Sequence, residues 1–317
     1  MIKTILKIIA KVICGIIGSV VGLFLLAWIG LAIGKNFIYS DYYKVQSKEA
    51  KNAGLNQGFV PQGCTYNEDD DYFVTAGYMA NESVSRIYKI DNNSKKETYY
   101  TLKSNGEDFY GHTGGIQYAK GYFYLANEGD GIYKFPASSL SDNPSVEIGA
   151  AIKVNNHSSF VFAEGDYLYV GEFNDDNKYA CSNDFSYNGK THKAIVTKYN
   201  LNNLNKPVQI YSIGNQIQGF AITPKGKIVL SRSYGMVDSN FYVFEPKDVI
   251  DTNMKLDGAK VYFLDRDNCS KNLKAPAMSE DMDVKGDKVI YLSESACNKY
   301  ILGKFFGDFH IYGLKLD

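Results

Sequence analysis

Gln62, His112, His157, Gln218 and Glu280 each stand at, or just ahead of, the start of a short apolar segment, and Gly77, Asn127, Glu172, Arg232 and Glu294 each close the segment that follows. Carboxylates, imidazoles, a guanidinium and amides thus recur where a structural repeat would accept small or apolar residues. Two chemistries follow from that set. His112 or His157 could serve as general acid or base, oriented by Glu280 or Glu294, with Arg232 meeting an anionic substrate, because proton transfer needs groups within hydrogen-bond reach. Alternatively, Glu172, Glu280 and Glu294 could hold Ca²⁺ through carboxylate oxygens. In either case Gln62, Asn127, Glu172, Gln218 and Arg232 are the expected ligand contacts. Each also has a plainer role. Glu294 could pair with Arg232, since buried charges need partners. The histidines could tie neighbouring units together, and the glutamines could bond backbone amides.

The elements that must position these residues form a repeat. Five entry segments share a pattern of small residues followed by alternating apolar ones: Pro61 to Tyr66, Thr113 to Tyr118, His157 to Phe162, Ile217 to Ile222 and Ser279 to Val284. Second strands are expected at Tyr72 to Gly77, Tyr122 to Asn127, Tyr167 to Glu172, Lys227 to Arg232 and Lys288 to Glu294. Third strands follow at Arg86 to Ile90, Gly131 to Phe135, Ile195 to Tyr199, Phe241 to Phe244 and Phe309 to Leu314. Fourth strands are expected at Glu97 to Leu102, Val146 to Val154, Val208 to Ser212 and Lys260 to Leu264. The fifth unit has none, so a segment within 37–57 is expected to close the ring, with a helical stalk from Tyr42 to Ala53 as its rival. Units about 45 to 61 residues apart match blade repeats with loop insertions.

The pattern resembles that of β-propeller proteins, and the glycine-led entries are similar to bacterial secreted propellers of the NHL and lactonase-like kind. The reading is all-β: a five-bladed propeller over 58–317, with six or seven blades, or an aperiodic sandwich, as alternatives. In a propeller the start of each inner strand and the end of each second strand share one face, so the ten positions form one ring. The Trp-Asp dipeptide of WD40 blades is absent, and the resemblance implies no particular reaction, because propellers include hydrolases, lyases, oxidoreductases and binding modules.

Composition supports this reading. Tyrosine occurs 26 times and phenylalanine 18 times, favouring pleated, half-buried surfaces. With 34 basic and 35 acidic side chains there is no surplus charge for nucleic acid. Val12 to Gly34 carries no charge and follows Lys3, Lys7 and Lys11. That length suits a single membrane span, with 1–11 cytoplasmic and the rest beyond a lipid bilayer by the positive-inside bias. A cleaved signal peptide is the alternative, and Gly18-x-x-x-Gly22 could pair two such helices. Cys64, Cys181, Cys269 and Cys297 lie outside the span. Disulfides are expected there, with Cys64 and Cys297 in the first and last units as one pairing and free core thiols as the rival. Asp175-Asp176-Asn177 lacks a twelve-residue Ca²⁺ loop, Glu68 to Asp71 reads as a solvated charge run, and Asn127 to Gly131 as a tight turn. The function expected is a membrane-anchored, extracytoplasmic propeller binding a small molecule, glycan or protein at its axial face; a hydrolase or lyase, or a scaffold without a site, are the alternatives.

Overall fold

The computed structural model describes residues 2–129 and 131–317, in two compact units that divide after Ser40. Asp130, within the expected turn from Asn127 to Gly131, lies outside the described residues. In the first unit a helix spans Ile2–Ile38. From Lys3 to Ile38 it is long and apolar enough to cross a membrane, and none of it is buried. It extends beyond the charge-free run at both ends, because lysine favours helix nearly as well as leucine does.

The second unit is a five-bladed propeller of antiparallel sheets, each built outward from an inner strand. Blade 1 comprises Phe59–Asn67, Tyr72–Met79, Arg86–Asp91 and Glu97–Ser104. Blade 2 comprises Gly115–Ala119, Tyr122–Ala126, Gly131–Pro136 and the short Ile152–Lys153. Blade 3 comprises Phe160–Glu164, Tyr167–Gly171, Ala194–Asn200 and Asn203–Ile213. Blade 4 comprises Ile217–Ile222, Ile228–Arg232, Ser239–Phe244 and Lys271–Ala275. Blade 5 comprises Ser279–Lys285, Lys288–Ser293 and His310–Leu314, and its outer strand is Gln46–Lys51 from the other end of the chain. A short helix, Ser40–Val45, precedes that strand, so the helical stalk expected over Tyr42 to Ala53 ends before its midpoint.

Two expected outer strands are corrected. Ala259–Leu264, which contains the segment assigned to blade 4, lies parallel to the outer strand of blade 3, and Lys271–Ala275 takes the place in blade 4. Val146 to Val154 is two strands: Ser145–Glu147 lies parallel on the outer edge of blade 1, and only Ile152–Lys153 completes blade 2. Both added strands cover an outer edge that would otherwise expose unpaired backbone.

Burial explains which strands lie inside. The inner strand of blade 1 is buried at nearly every position because its sheet is covered on both faces. Ile250–Leu256, which pairs with Ala259–Leu264 at the outer edge of the blade 3 sheet, alternates half-buried with exposed residues, as expected with one face in water. The cores lie between blades: Val74, Ile87, Tyr100 and Leu102 of blade 1 meet Ile116, Phe123, Leu125 and Phe135 of blade 2. Each such side chain contributes roughly 1.5–3 kcal/mol by leaving water. Sharp turns keep the strands short. Lys120 and Gly121, with φ of 50° and 80°, form a two-residue hairpin between Ala119 and Tyr122, matching the twist of the flanking strands.

The cysteine expectation is also corrected. Cys14, Cys64, Cys181, Cys269 and Cys297 are all free thiols. Cys64 packs with Phe59, Phe73 and Ile290, and Cys297 with Leu55 and Val60 in a different cluster, so each fills space as a small apolar side chain.

Candidate functional site

The five inner strands begin, and the five second strands end, on one face, here called upper. The pairings Pro61 with Gly77, Gly115 with Ala126, Phe160 with Gly171, Ile217 with Arg232 and Ser279 with Ser293 fix this alignment. In blades 1, 4 and 5 the register slips at the entry. The extra residue falls between Pro61 and Gly63, between Ile217 and Gly219, and between Ser279 and Met282. Gln62, Gln218 and Glu280 therefore sit in β-bulges, which lift a side chain out of the ladder and re-aim it. Backbone strain marks the same rim. Thr113, Gln216 and Met278, just ahead of the inner strands of blades 2, 4 and 5, have φ of 52°, 64° and 68°. A left-handed backbone at residues other than glycine costs on the order of 1 kcal/mol each.

Blades 5, 1 and 2 bring a polar group together at this mouth. Gln62 Nε2 donates to Glu294 Oε2 across the joint between blades 1 and 5 at 2.9 Å, and to the Pro61 carbonyl at 3.0 Å. Glu280 is 3% exposed and receives no hydrogen bond from any described residue. Burial and the neighbouring charges of Glu294 and Asp281 hold its carboxyl well above the usual carboxylate range. Burial also pushes Glu294 up to about 7, against the Gln62 hydrogen bond, the Lys299 ammonium and the Tyr300 hydroxyl, which favour its charged form. Tyr78 follows Gly77 at the end of the second strand of blade 1, and its ring stacks on His112 at 4.7 Å between centroids. His112 Nδ1 stands 3.5 Å from Glu128 Oε1, yet burial outweighs that carboxylate and lowers the imidazole below its ordinary value. The Lys299 ammonium donates to Tyr78 Oη and lies over its ring.

The other expected residues go elsewhere. Glu172 receives hydrogen bonds from the amides of His157 at 3.2 Å and Ile195 at 3.1 Å, and from Asn183 Nδ2 at 3.0 Å. It anchors the insertion that carries the hairpin Phe185–Tyr187 and Lys190–His192. The imidazole of His157 lies on an exposed loop beside a cavity of about 230 Å³ lined by Glu128, Phe173, Lys178, Tyr179 and Cys181. Arg232 donates to Gln216 Oε1, whereas Glu294 bonds Gln62, so the expected ion pair between Arg232 and Glu294 does not form. Asn127 Oδ1 accepts from the Thr113 amide at 3.2 Å and steadies the loop ahead of blade 2. Gln218 is half-buried at its bulge. Gly77 has no room for a side chain, because a Cβ there would collide with the Val60 carbonyl. Glu172, Glu280 and Glu294 do not assemble as a Ca²⁺ set: among the described residues no three His, Cys, Asp or Glu side chains are disposed around a metal.

Beneath the mouth the axis is filled. Asp281, also in the bulge of blade 5, reaches blade 2, where its Oδ2 accepts from the Ile116 amide at 3.2 Å. Gly63, Gly115 and Gly219 let the backbones converge around it. A Cβ on Gly115 would lie 2.5 Å from Asp281 Oδ2, and one on Gly63 would lie 2.7 Å from Gly115 Cα. Two residues further along the same strand, Asp283 accepts from Thr65 Oγ1 at 2.7 Å and the Tyr66 amide at 2.9 Å, and burial raises it to about 6. Below these carboxylates the opposite face opens into a second depression of about 560 Å³, lined by all five inner hairpins through Tyr66, Tyr118, Phe162, Ile222 and Val284. Glu68 to Asp71 sits at its edge. This run is more structured than a solvated charge run, since Asp71 accepts from Tyr66 Oη and Asn92, and Asp69 from Tyr118 Oη.

Sequence reasoning missed Tyr78, Lys299 and Tyr300. Tyr78 lies one residue past an expected strand end, a place that always faces the mouth and could have been included. Lys299 and Tyr300 come from the long loop after Ser293, whose path no periodicity describes.

No protein-family model matches the chain, and no curated protein matches it. Solved structures resemble it distantly. Myxococcus xanthus glutaminyl cyclase is 8% identical, with a TM-score of 0.44 over 85% of this chain and 92% of that one. The PQQ-bound aldose sugar dehydrogenase of Streptomyces coelicolor is 15% identical, with a TM-score of 0.44 over 78% and 77%. Kuenenia stuttgartiensis hydrazine synthase is 11% identical, with a TM-score of 0.38 over 74% of this chain, which spans only 56% of that one. At such identities a likeness speaks of fold and not of chemistry. It is the five radial sheets and the strand that closes them that make the chain a β-propeller protein.

Proposed function

We propose that the protein is a membrane-tethered, extracytoplasmic propeller that binds a small polar ligand at the mouth of its upper face. The observation that carries this reading is Glu280: a carboxylate 97% removed from solvent, with no hydrogen-bond donor, beside a second carboxylate that has one. Burying an unpaired ionisable group costs several kcal/mol unless a partner arrives. Binding sites are recognised by a few convergent polar groups in a concave, mostly apolar wall. The tether rests on the helix Ile2–Ile38 and on Lys3, Lys7 and Lys11 ahead of its apolar stretch.

Glu294 near 7 beside the higher Glu280 also favours a second reading, a hydrolase or lyase that uses the pair as acid and base. The histidines do not take that role here, with His157 on a loop and His112 stacked on Tyr78. One experiment addresses both readings. Full-length protein in detergent, screened for thermal stabilisation by sugars, amino acids and amines, is expected to give ligands whose effect disappears in the E280Q/E294Q double variant. Ligands that bind the double variant equally well place the site elsewhere and reject the proposal. Conversion of a bound compound by the wild type selects the enzymatic reading.

A further inference from the structure

Lys299 stands at the mouth but makes no hydrogen bond to either of its carboxylates. Two carboxylates neighbour one another there, and the donors that reach them, Gln62 and the Tyr300 hydroxyl, both serve Glu294. The nearby cations are committed to other groups. Lys299 donates to Tyr78 Oη and lies over the rings of Tyr78 and Tyr300, at 4.7 and 5.3 Å. Lys178 donates to Tyr179 Oη at 2.8 Å, and Arg232 donates to Gln216. The amide nitrogen of Gln62 is spent on Glu294 and on the Pro61 carbonyl, which leaves its side-chain oxygen as an acceptor beside the carboxylates.

Glu280, Glu294 and Gln62 thus present acceptors at the mouth, with no donor for Glu280 among the described residues. A primary ammonium carries three N–H donors and one positive charge, which matches that set. A hydrated metal ion fits it less well, because the neighbouring rings of Tyr78, His112 and Tyr300 supply no oxygen ligands beyond hydroxyls. The loops that bear these rings also expose apolar side chains: Tyr110 lies two residues from His112, and Ile301 and Leu302 follow Tyr300. Such a rim suits a ligand with an apolar body behind its charged end.

Resting on the binding reading above, we infer that the upper mouth takes small amphipathic primary amines, with the ammonium held by Glu280, Glu294 and the Gln62 side-chain oxygen and the apolar body against Tyr78, His112 and Tyr300. The probe is 2-phenylethylammonium, and its neutral counterpart of similar shape is 2-phenylethanol. Titrated into the full-length protein in detergent by calorimetry, the ammonium is expected to bind at least tenfold more tightly than the alcohol. E280Q and E294Q are each expected to weaken it tenfold or more, and Tyr78→Ala to weaken it less. Both glutamine variants remove an ionisable carboxyl and keep the shape, so retained thermal unfolding confirms that a loss reflects binding.

Equal affinity for ammonium and alcohol overturns the inference, as does binding of the ammonium that E280Q leaves unchanged. If the ammonium fails to bind while a neutral sugar does, and that sugar is lost in E280Q/E294Q, the binding reading survives and the amine assignment falls. Saturable Ca²⁺ binding lost in E280Q, with no amine binding, overturns it in favour of a metal. Failure of every ligand class at these residues removes both proposals.

Discussion

Glu172 and Glu280 differ only in what surrounds them, and that difference separates a structural carboxylate from a candidate binding one. Both are 3% exposed. Glu172 has two amides and Asn183 as donors, whereas Glu280 has like charges as neighbours. Sequence alignment placed them in the same ring, which was legible from the repeat. The donors that distinguish them were not, because Asn183 comes from an insertion with no counterpart in other blades and the Ile195 amide belongs to the backbone of the neighbouring strand. Burial raises Glu172 from 4.5 to about 7. A carboxyl raised in the folded state stays protonated there while the unfolded chain ionises. Its stabilising contribution is therefore complete below about pH 4.5, is lost as pH climbs towards 7, and changes little beyond. Glu172→Gln is expected to lose less stability than wild type between about pH 5 and pH 8, by on the order of 2 kcal/mol. Urea denaturation at the two pH values measures it, and identical losses in the two proteins would reject the assignment.

At the scale of elements, the inner, second and third strands were legible because each is a short apolar segment bounded by turn residues. Outer strands were harder to read. Ala259–Leu264 looks like any other strand, and only its parallel pairing with Gln209 to Ile213 shows that it serves the neighbouring blade. Lys271–Ala275 is mostly polar, with Leu273 and Ala275 alone buried, so hydrophobic pattern passes over it. The closing strand Gln46–Lys51 has the same character: its pairing with His310–Leu314 and the burial of Ala50 hold it in place more than its own sequence does. A chain beginning at Asp41 is expected to keep the stability of the propeller, whereas one beginning at Leu55 loses the outer strand of blade 5. Several backbone hydrogen bonds and the packing of Ala50 and Ala53 go with it, a cost of roughly 3–5 kcal/mol. Thermal unfolding of the two truncations compares them directly, and equal midpoints would show that the closing strand is dispensable.

Across the whole molecule, a helix suited to a bilayer precedes a ring whose axis is closed by Asp281 and converging glycines. Since the axis is filled, a ligand at the upper mouth does not pass through to the lower depression, and the two faces act as separate surfaces. Retention of the helix has a direct readout. Protein recovered from membranes after an alkaline wash is expected to carry an intact N-terminus by mass spectrometry, whereas a mature chain starting near residue 35 would identify a removed signal. The strand order also sets a timetable. Gln46–Lys51 is made ahead of every other strand of the ring, yet its partner His310–Leu314 follows roughly 260 residues later, so the longest-range pairing in the ring is also its last. Four blades can form as the chain emerges, and throughout that interval the earliest strand stays without its neighbour. The growing protein is then an open arc with two unsatisfied ends, and an arc of this kind can also join a second copy end to end. Completion of the last blade is therefore the step at which synthesis commits the chain to a single closed molecule.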